Sequence, residues 1–304
     1  MLSRCMARTI SIIGAGRVGR TLGKRLNELG WRIGAVVTRS AASSRAAVRA
    51  IGAGTPHAGL TRQALGAAVI LFTTPDGALE PAARKLAEMA GDECFGKIVL
   101  HTSGALNSGV LEPLARRGAA AGSLHPMQTF SGRGAPQLEG IIFAVEGDRR
   151  AQKVAQAIAR SLGGIPVVID GAAKPAYHAA GAFVAGQALA LVEAATQMLM
   201  KVGFKRRRAI QALLPLMRQM LDNFERLGPQ AAWTGPISRG DYATVAKHMI
   251  ALRDYPREFQ NSYAALALLA GRVLSTKPEE TLANLERALN EPIGGSSGTT
   301  SHSR

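Results

Sequence analysis

Three glycines, Gly14, Gly16 and Gly19, stand in the run Ser11-Ile12-Ile13-Gly14-Ala15-Gly16-Arg17-Val18-Gly19, directly after an apolar β-branched segment. The G-x-G-x-x-G spacing asks something different of each. Gly14 permits a tight turn, Gly16 lets the backbone approach a pyrophosphate, and Gly19 lets a helix pack closely on a strand. A helix opening at Arg17 and Val18 then aims free N–H groups and its positive dipole end at the phosphates. Glycine-rich turns also occur without a ligand, so the strand before and the helix after carry the assignment. About 20 residues on, an NAD site usually places a carboxylate against the ribose hydroxyls. Here the chain reads Val37-Thr38-Arg39-Ser40. Arg39 suits a 2′-phosphate, Thr38 and Ser40 can donate hydroxyls, and no acidic group repels the anion. The expected cofactor is NADP, with NADPH preferred over NADH; the competing reading makes Arg39 a plain surface cation.

Thr73, Thr74 and Pro75 close a further apolar run, at the strand end where an open α/β sheet binds ligands. Asp76 reads as the cap of the next helix. Ser103, in Val99–Ala105, closes another strand and should open onto the same crevice. Hydride transfer to a carbonyl or imine also needs a proton donor and groups that fix the substrate. His125 is the first candidate: it follows a strand ending at Leu124, Pro126 fixes a turn, and imidazole exchanges a proton near neutral pH. Gln128 and Thr129 can bond substrate or carboxamide. The structural alternative has His125 holding a backbone carbonyl in a His-Pro turn. Lys174, Tyr177 and His178 form a second cluster, in which Lys174 and His178 lie four apart and share a helix face. Lys174, just before a helix starting near Pro175, is expected to point into an inter-domain cleft as acid, substrate anchor or surface residue. Thr234, Arg239 and Asp241 lie at a break between helices. Arg239 suits a substrate carboxylate, whereas Ser238 or Asp241 caps the helix beginning near Tyr242. His57, His101 and His248 show no metal-like grouping, so no metal is expected, and no G-x-S-x-G elbow suggests a serine hydrolase.

These residues need a scaffold, and the first 170 residues alternate short β-branched runs with helical segments in the βαβ manner. The strands expected are Thr9–Ile13, Ile33–Thr38, Ala68–Thr73, Lys97–His101, Ala120–Leu124, Ile141–Val145 and Pro166–Ile169, with helices such as Val18–Leu29, Leu79–Met89 and Ala151–Leu162 between them. From Gly171 to Asn290 only helices are expected, roughly Pro175–Val202, Arg206–Leu227, Tyr242–Leu252, Pro256–Leu274 and Pro278–Asn290. The expected organisation is a nucleotide-binding α/β domain over 1–170, a helical substrate and dimerisation domain over 171–290, and a disordered Gly/Ser/Thr-rich tail over 291–304.

The chain has 304 residues, 47% hydrophobic and 19% charged, with a net charge of +16, a composition of globular rather than disordered proteins. The basic residues are dispersed, apart from Lys205-Arg206-Arg207-Arg208, so nucleic acid is an unlikely partner and an anionic small molecule the better one. Cys5 and Cys94 fit neither a disulfide framework nor a metal site, which points to a reducing cytoplasm. The first residues lack a signal-peptide core. The apolar run Ala179–Val192 falls short of a membrane span; a helix apolar all round belongs in a core or a dimer interface.

Taken together, the segments GAGRVG, TTPD, HTSGAL, SLHPMQTF, KPAYHAA and TGPISRGD resemble one family over residues 8 to 290. It is the Rossmann-like oxidoreductases whose helical C-terminal half carries a domain-of-unknown-function label. More distantly the chain is similar to pyrroline-carboxylate reductase, prephenate dehydrogenase and the β-hydroxyacid dehydrogenases. The resemblance implies a nicotinamide cofactor and an all-α C-terminal domain of the 6-phosphogluconate-dehydrogenase-like type, dimerising over the active-site cleft. In the β-hydroxyacid dehydrogenases a lysine followed four residues later by an asparagine marks the catalytic helix; His178 departs from that pattern. The function expected is NADP-dependent hydride transfer to or from a small C=O or C=N substrate. The alternatives are an idle NADP-binding regulatory protein and a prephenate or β-hydroxyacid dehydrogenase.

Overall fold

The computed structural model describes residues 8–132, 134 and 136–290; the expected disordered tail lies outside them. Two compact units divide the chain, Met1–Gln187 and Ala188–Arg304.

In the first unit eight strands form one sheet: β1 (Thr9–Ile13), β2 (Arg32–Thr38), β3 (Thr55–Ala58), β4 (Val69–Phe72), β5 (Ile98–His101), β6 (Ala120–Pro126), β7 (Ile142–Gly147) and β8 (Ile165–Val168). Their order is β3-β2-β1-β4-β5-β6-β7-β8. Neighbours pair parallel except β6 with β7, so the sheet is mostly parallel. Helices α1 (Arg17–Glu28), α2 (Ala41–Ile51), α3 (Leu79–Ala90), α4 (Glu112–Ala115), α5 (Arg149–Ser161) and α6 (Lys174–Ala182) accompany it. The central strands are near-continuously apolar because both faces are covered. One core gathers Ile10, Ile12, Leu22, Leu26, Leu100 and Phe143; the other gathers Ile13, Ile70, Phe72, Leu86 and Val99. The order in which successive strands are added reverses between β1 and β4, and the ends of those two parallel strands frame the crevice in which such sheets bind ligands.

Two local expectations are corrected. The strand expected to end at Leu124 continues through His125 and Pro126, paired with Ala144 and Phe143 of β7, so His-Pro is strand rather than turn. Strand β3 was not anticipated. Its four residues, Thr-Pro-His-Ala, lie mostly exposed at the sheet edge, and backbone pairing to β2 holds them without any apolar pattern.

The second unit is helical: α7 (Ala188–Lys201), α8 (Arg206–Leu227), α9 (Pro229–Ala232), α10 (Tyr242–Ala251), α11 (Arg257–Leu274) and α12 (Pro278–Asn290). Val245, Ala267, Leu285 and Ala288 form its core. Gly271 lets α11 and α12 approach, since a Cβ there would stand 3.0 Å from Leu285 Cδ1. Arg206 grips both carboxylate oxygens of Glu193 at 2.9 and 2.7 Å, so part of the basic run has a partner inside the unit. Between α6 and α7 the chain winds wider, as a π-helical stretch over Phe183–Gln187. The continuous path Gly171–Lys201 is long and apolar enough to cross a membrane by length and composition alone. Its opening turn, however, is committed to the sheet through Lys174.

Candidate active site

The glycine-rich turn has the geometry that its spacing requires. Gly14 adopts φ +86°, and a Cβ there would stand 2.7 Å from the Thr74 backbone nitrogen. Gly19 packs where a Cβ would meet Ile12 and the Thr73 hydroxyl. At Gly16 the nearest atom to a Cβ is 3.8 Å away, so its backbone faces open space. No side chain caps α1 at Gly16, which leaves the helix N–H groups available to phosphate oxygens. Around this turn lies a cavity of about 700 Å³ that brings together Gly14, Gly16, Arg17, Val18, Thr38, Arg39, Thr73, Thr74 and Pro75. Thr73 donates its hydroxyl to the Gly14 carbonyl at 2.8 Å, tying the end of β4 to the turn after β1. The Thr74 hydroxyl is buried and has no hydrogen-bond partner, an uncommon condition that a bound polar ligand would relieve. Arg39 is exposed and enters none of the ion pairs of the described residues. A dinucleotide with an extra phosphate fits this donor set: backbone N–H groups, an orphaned hydroxyl and a free guanidinium.

Two expected cofactor contacts sit differently. Ser40 caps α2, its hydroxyl accepting from Ser43 N, and Ser43 lines the cavity instead. Ser103 turns its hydroxyl inward to accept from the Ala105 and Leu106 amides. Gly19 acts behind the turn, by packing. Asp76 is no helix cap; it begins a single 3-10 turn before α3 and bonds no N–H there. Thr102, Phe130 and Arg20 also line the cavity. Nothing in the local sequence marks Phe130, which reaches the cavity from the loop after β6.

Beside this cavity a polar row crosses the buried sheet. Register sets His101 of β5 opposite Ser123 of β6, and Ser123 opposite Glu146 of β7. All three are buried. Lys174, first residue of α6, lands on this row with no exposed surface. Its ammonium donates to the Ser103 carbonyl at 2.9 Å and to Ser123 Oγ at 2.8 Å. Ser123 in turn donates to Glu146 Oε2 at 3.3 Å, and Ser108 donates to both Glu146 oxygens through its amide and hydroxyl. Burial lowers Lys174 to about 8, with Glu146 and then Asp76 pulling against the shift; it stays an ammonium at neutral pH. His101 accepts from Ser103 N at Nδ1 and therefore donates from Nε2 to the Asn107 carbonyl. Burial, reinforced by Lys174, pulls it to about 3. The sequence argument sent Lys174 into a cleft. The correction is that its charge is sealed in the sheet domain.

His125 stands at the edge of this row. Its Nδ1 lies 2.9 Å from the Tyr177 hydroxyl, and the His178 ring meets it edge-on at 6.0 Å between centroids. Gly104 makes the room: a Cβ there would be 2.5 Å from His178 Cδ2 and 2.8 Å from His125 Nε2. Burial first, then the Lys174 charge and His178, pull His125 to about 4. It is thus an uncharged imidazole at neutral pH, not the imidazolium that ordinary histidine titration would supply. Burial raises the Tyr177 phenol to about 12. Sequence reasoning named Tyr177 with Lys174 and His178 but gave it no role, and it missed Gly104, Ser123 and Glu146. Ser123 and Glu146 depend on strand register, and Gly104 on the packing of two rings from distant segments.

Gln128 and Thr129 bond each other, and Gln128 also donates to the Gln137 carbonyl at 3.2 Å, so their polar groups brace the loop after β6. In the helical unit Arg239 ends the single turn Ile237–Arg239. Asp241 caps α10, accepting from Thr244 N and Thr244 Oγ1.

Comparison with known proteins agrees with this architecture. A Rossmann-like domain model matches residues 4–126, and the model of a domain of unknown function, DUF2520, matches residues 141–270. The structure is similar to that of a Bacteroides fragilis protein provisionally assigned as an NADP oxidoreductase, with 25% identity, TM-score 0.70, and coverage of 85% of this chain and 95% of the other. It is similar to a reductive aminase from Aspergillus terreus in complex with NADPH and ethyl-5-oxohexanoate, with 19% identity, TM-score 0.58, and coverage of 94% and 95%. A pyrroline-5-carboxylate reductase from Coxiella burnetii follows at 15% identity and TM-score 0.54, with coverage of 92% and 96%. No curated protein matches by sequence. The chain thus matches a Rossmann-like model in its N-terminal part and the DUF2520 model in its C-terminal part.

Proposed function

We propose that the protein is an NADP-dependent oxidoreductase that transfers a hydride between the nicotinamide and a small C=O or C=N substrate. The observation that carries this reading is the loop after β5. Thr102 lines the dinucleotide cavity, and Gly104, two residues on, packs against the rings of His125 and His178. Proton-handling groups therefore adjoin the cavity. Bound nicotinamide supplies or accepts the hydride. Tyr177 and His125 are hydrogen-bonded across their 2.9 Å contact, and His178 and His125 are the groups free to meet a substrate. Lys174, fully buried, acts behind them. Gly14, Gly16, Arg17 and Thr74 hold the pyrophosphate side, and Arg39 with Thr38 and Ser43 holds the 2′-phosphate, which favours NADPH over NADH.

The same reading includes a homodimer built on the C-terminal helices, Arg239 as anchor for a substrate carboxylate, and a cytoplasmic location. The dimer is supported by large apolar side chains left exposed on α7 and α8, Leu189 and Leu216 among them. The location is supported by a buried free thiol at Cys94.

The test is fluorescence titration with NADPH, followed by NADPH consumption against a panel of small oxo-acids, ketones and cyclic imines. Saturable binding with turnover of one class is the expected result. Binding without turnover across the panel would leave a regulatory NADP-binding protein, and no binding would overturn the proposal.

A further inference from the structure

Helix α6 begins with a charge inside the sheet. Keeping an ammonium there is costly unless it is paired and fully hydrogen-bonded, and the surroundings meet that demand. The Ser103 carbonyl and Ser123 hydroxyl accept from it, and Glu146, reached through Ser123, is its counter-ion. An uncharged residue would fill the space without such provision. What the pin does is local: Tyr177 and His178 follow three and four residues later, on the face that it orients. Tyr177 reaches His125 Nδ1, and His178 fits beside it over Gly104.

We propose that Lys174 is a positioning residue: it touches no substrate, its ammonium anchors the first turn of α6 to the loop after β5 and to β6, and through that anchor Tyr177 is held on His125 with a positive charge behind the imidazole. The charged and titratable groups around it are few. Asp76 follows β4, His101 ends β5, His125 lies on β6, Glu146 on β7, and Tyr177 and His178 on α6 itself. Glu146 is occupied by Ser108 and Ser123 and makes no hydrogen bond to His125. The low titration of both His101 and His125, caused first by burial and then by Lys174, agrees with a positive charge at this point that Glu146 only partly offsets.

The inference deepens the proposed activity, yet its test does not require turnover. Full-length protein carrying ¹⁵N-histidine is titrated by NMR from about pH 8 to about pH 5, a range that brackets ordinary histidine; His125 is assigned by its loss in His125→Asn. In the wild type His125 does not titrate in this range. In Lys174→Met, which keeps the stem and removes the charge, its midpoint moves up by a unit or more; Lys174→Arg keeps it low. A folded Lys174→Met protein in which His125 still does not titrate would overturn the proposal. Should Lys174→Met not fold, Lys174→Gln decides, because it removes the charge and keeps a donor for the Ser103 carbonyl and the Ser123 hydroxyl. The His125 midpoint then rises into the range, and a folded Lys174→Gln protein in which His125 does not titrate would refute the role given to Lys174. NADPH affinity is measured alongside. Failure of the wild type to bind would remove the oxidoreductase reading while leaving the titration result standing.

Discussion

At the scale of single residues, charge and burial assign the parts. Arg39 stands free where a carboxylate would serve NAD. Arg39→Asp should therefore weaken NADPH binding about tenfold or more, the scale of a lost charge-assisted hydrogen bond, and leave NADH unchanged or improved. Calorimetry showing equal wild-type affinities for the two would remove the assignment. His125 makes a second prediction, with two readouts. His125→Asn should fold and bind NADPH but lose turnover by about 10²–10⁴-fold, the usual weight of a proton-transferring group. It should also blunt acid sensitivity. His125 titrates at about 4 when folded against 6.5 when free, so the unfolded chain takes up the proton first. Stability is then complete above the free value and falls as pH drops through the window between the two. His101 adds to the same slope in both proteins, so the variant's loss of melting temperature on acidification should be smaller, not absent. An identical slope would mean that His125 is not held neutral by the fold.

At the scale of elements, the segment between α9 and α10 illustrates how a distinctive run can be structural. Asp241 accepts from the Thr244 amide and hydroxyl, the work of an N-cap. Asp241→Ala should lower the midpoint of urea unfolding, as the loss of an N-cap does, while Asp241→Asn should lose far less and keep NADPH affinity. A large loss of activity in a stable Asp241→Asn protein would show that its charge serves the substrate instead. Strand β6 makes the complementary point. By running two residues past Leu124 it carries His125 in the sheet, where pairing to β7 fixes it more firmly than a turn would.

At the scale of the whole molecule, the helical unit leaves much apolar surface uncovered. Leu189 is 69% exposed and Leu216 70%, and monomers rarely leave large contiguous apolar patches in water. The expected outcome is a dimer by light scattering at micromolar concentration. Leu189→Arg should yield monomer or aggregate while unit 1 still binds NADPH. A monodisperse wild-type monomer would count against the dimer.

The sequence by itself determined the dinucleotide cradle, the succession of strands and helices, and the change from α/β to all-helical structure. Glycine spacing, β-branched runs and 3.6-residue periodicity are local properties, set by backbone sterics and side-chain alternation within a few residues. It could not determine the polar row. His101, Ser123 and Glu146 lie in three separate segments and meet only through strand register. Nor could it determine the state of Lys174 or His125. Whether a lysine reaches solvent or a buried serine, and whether a histidine keeps its ordinary titration, depends on desolvation and on charges brought from distant parts of the chain. Composition can identify which residues are able to handle protons; only their placement in the folded sheet decides which of them carry charge at neutral pH.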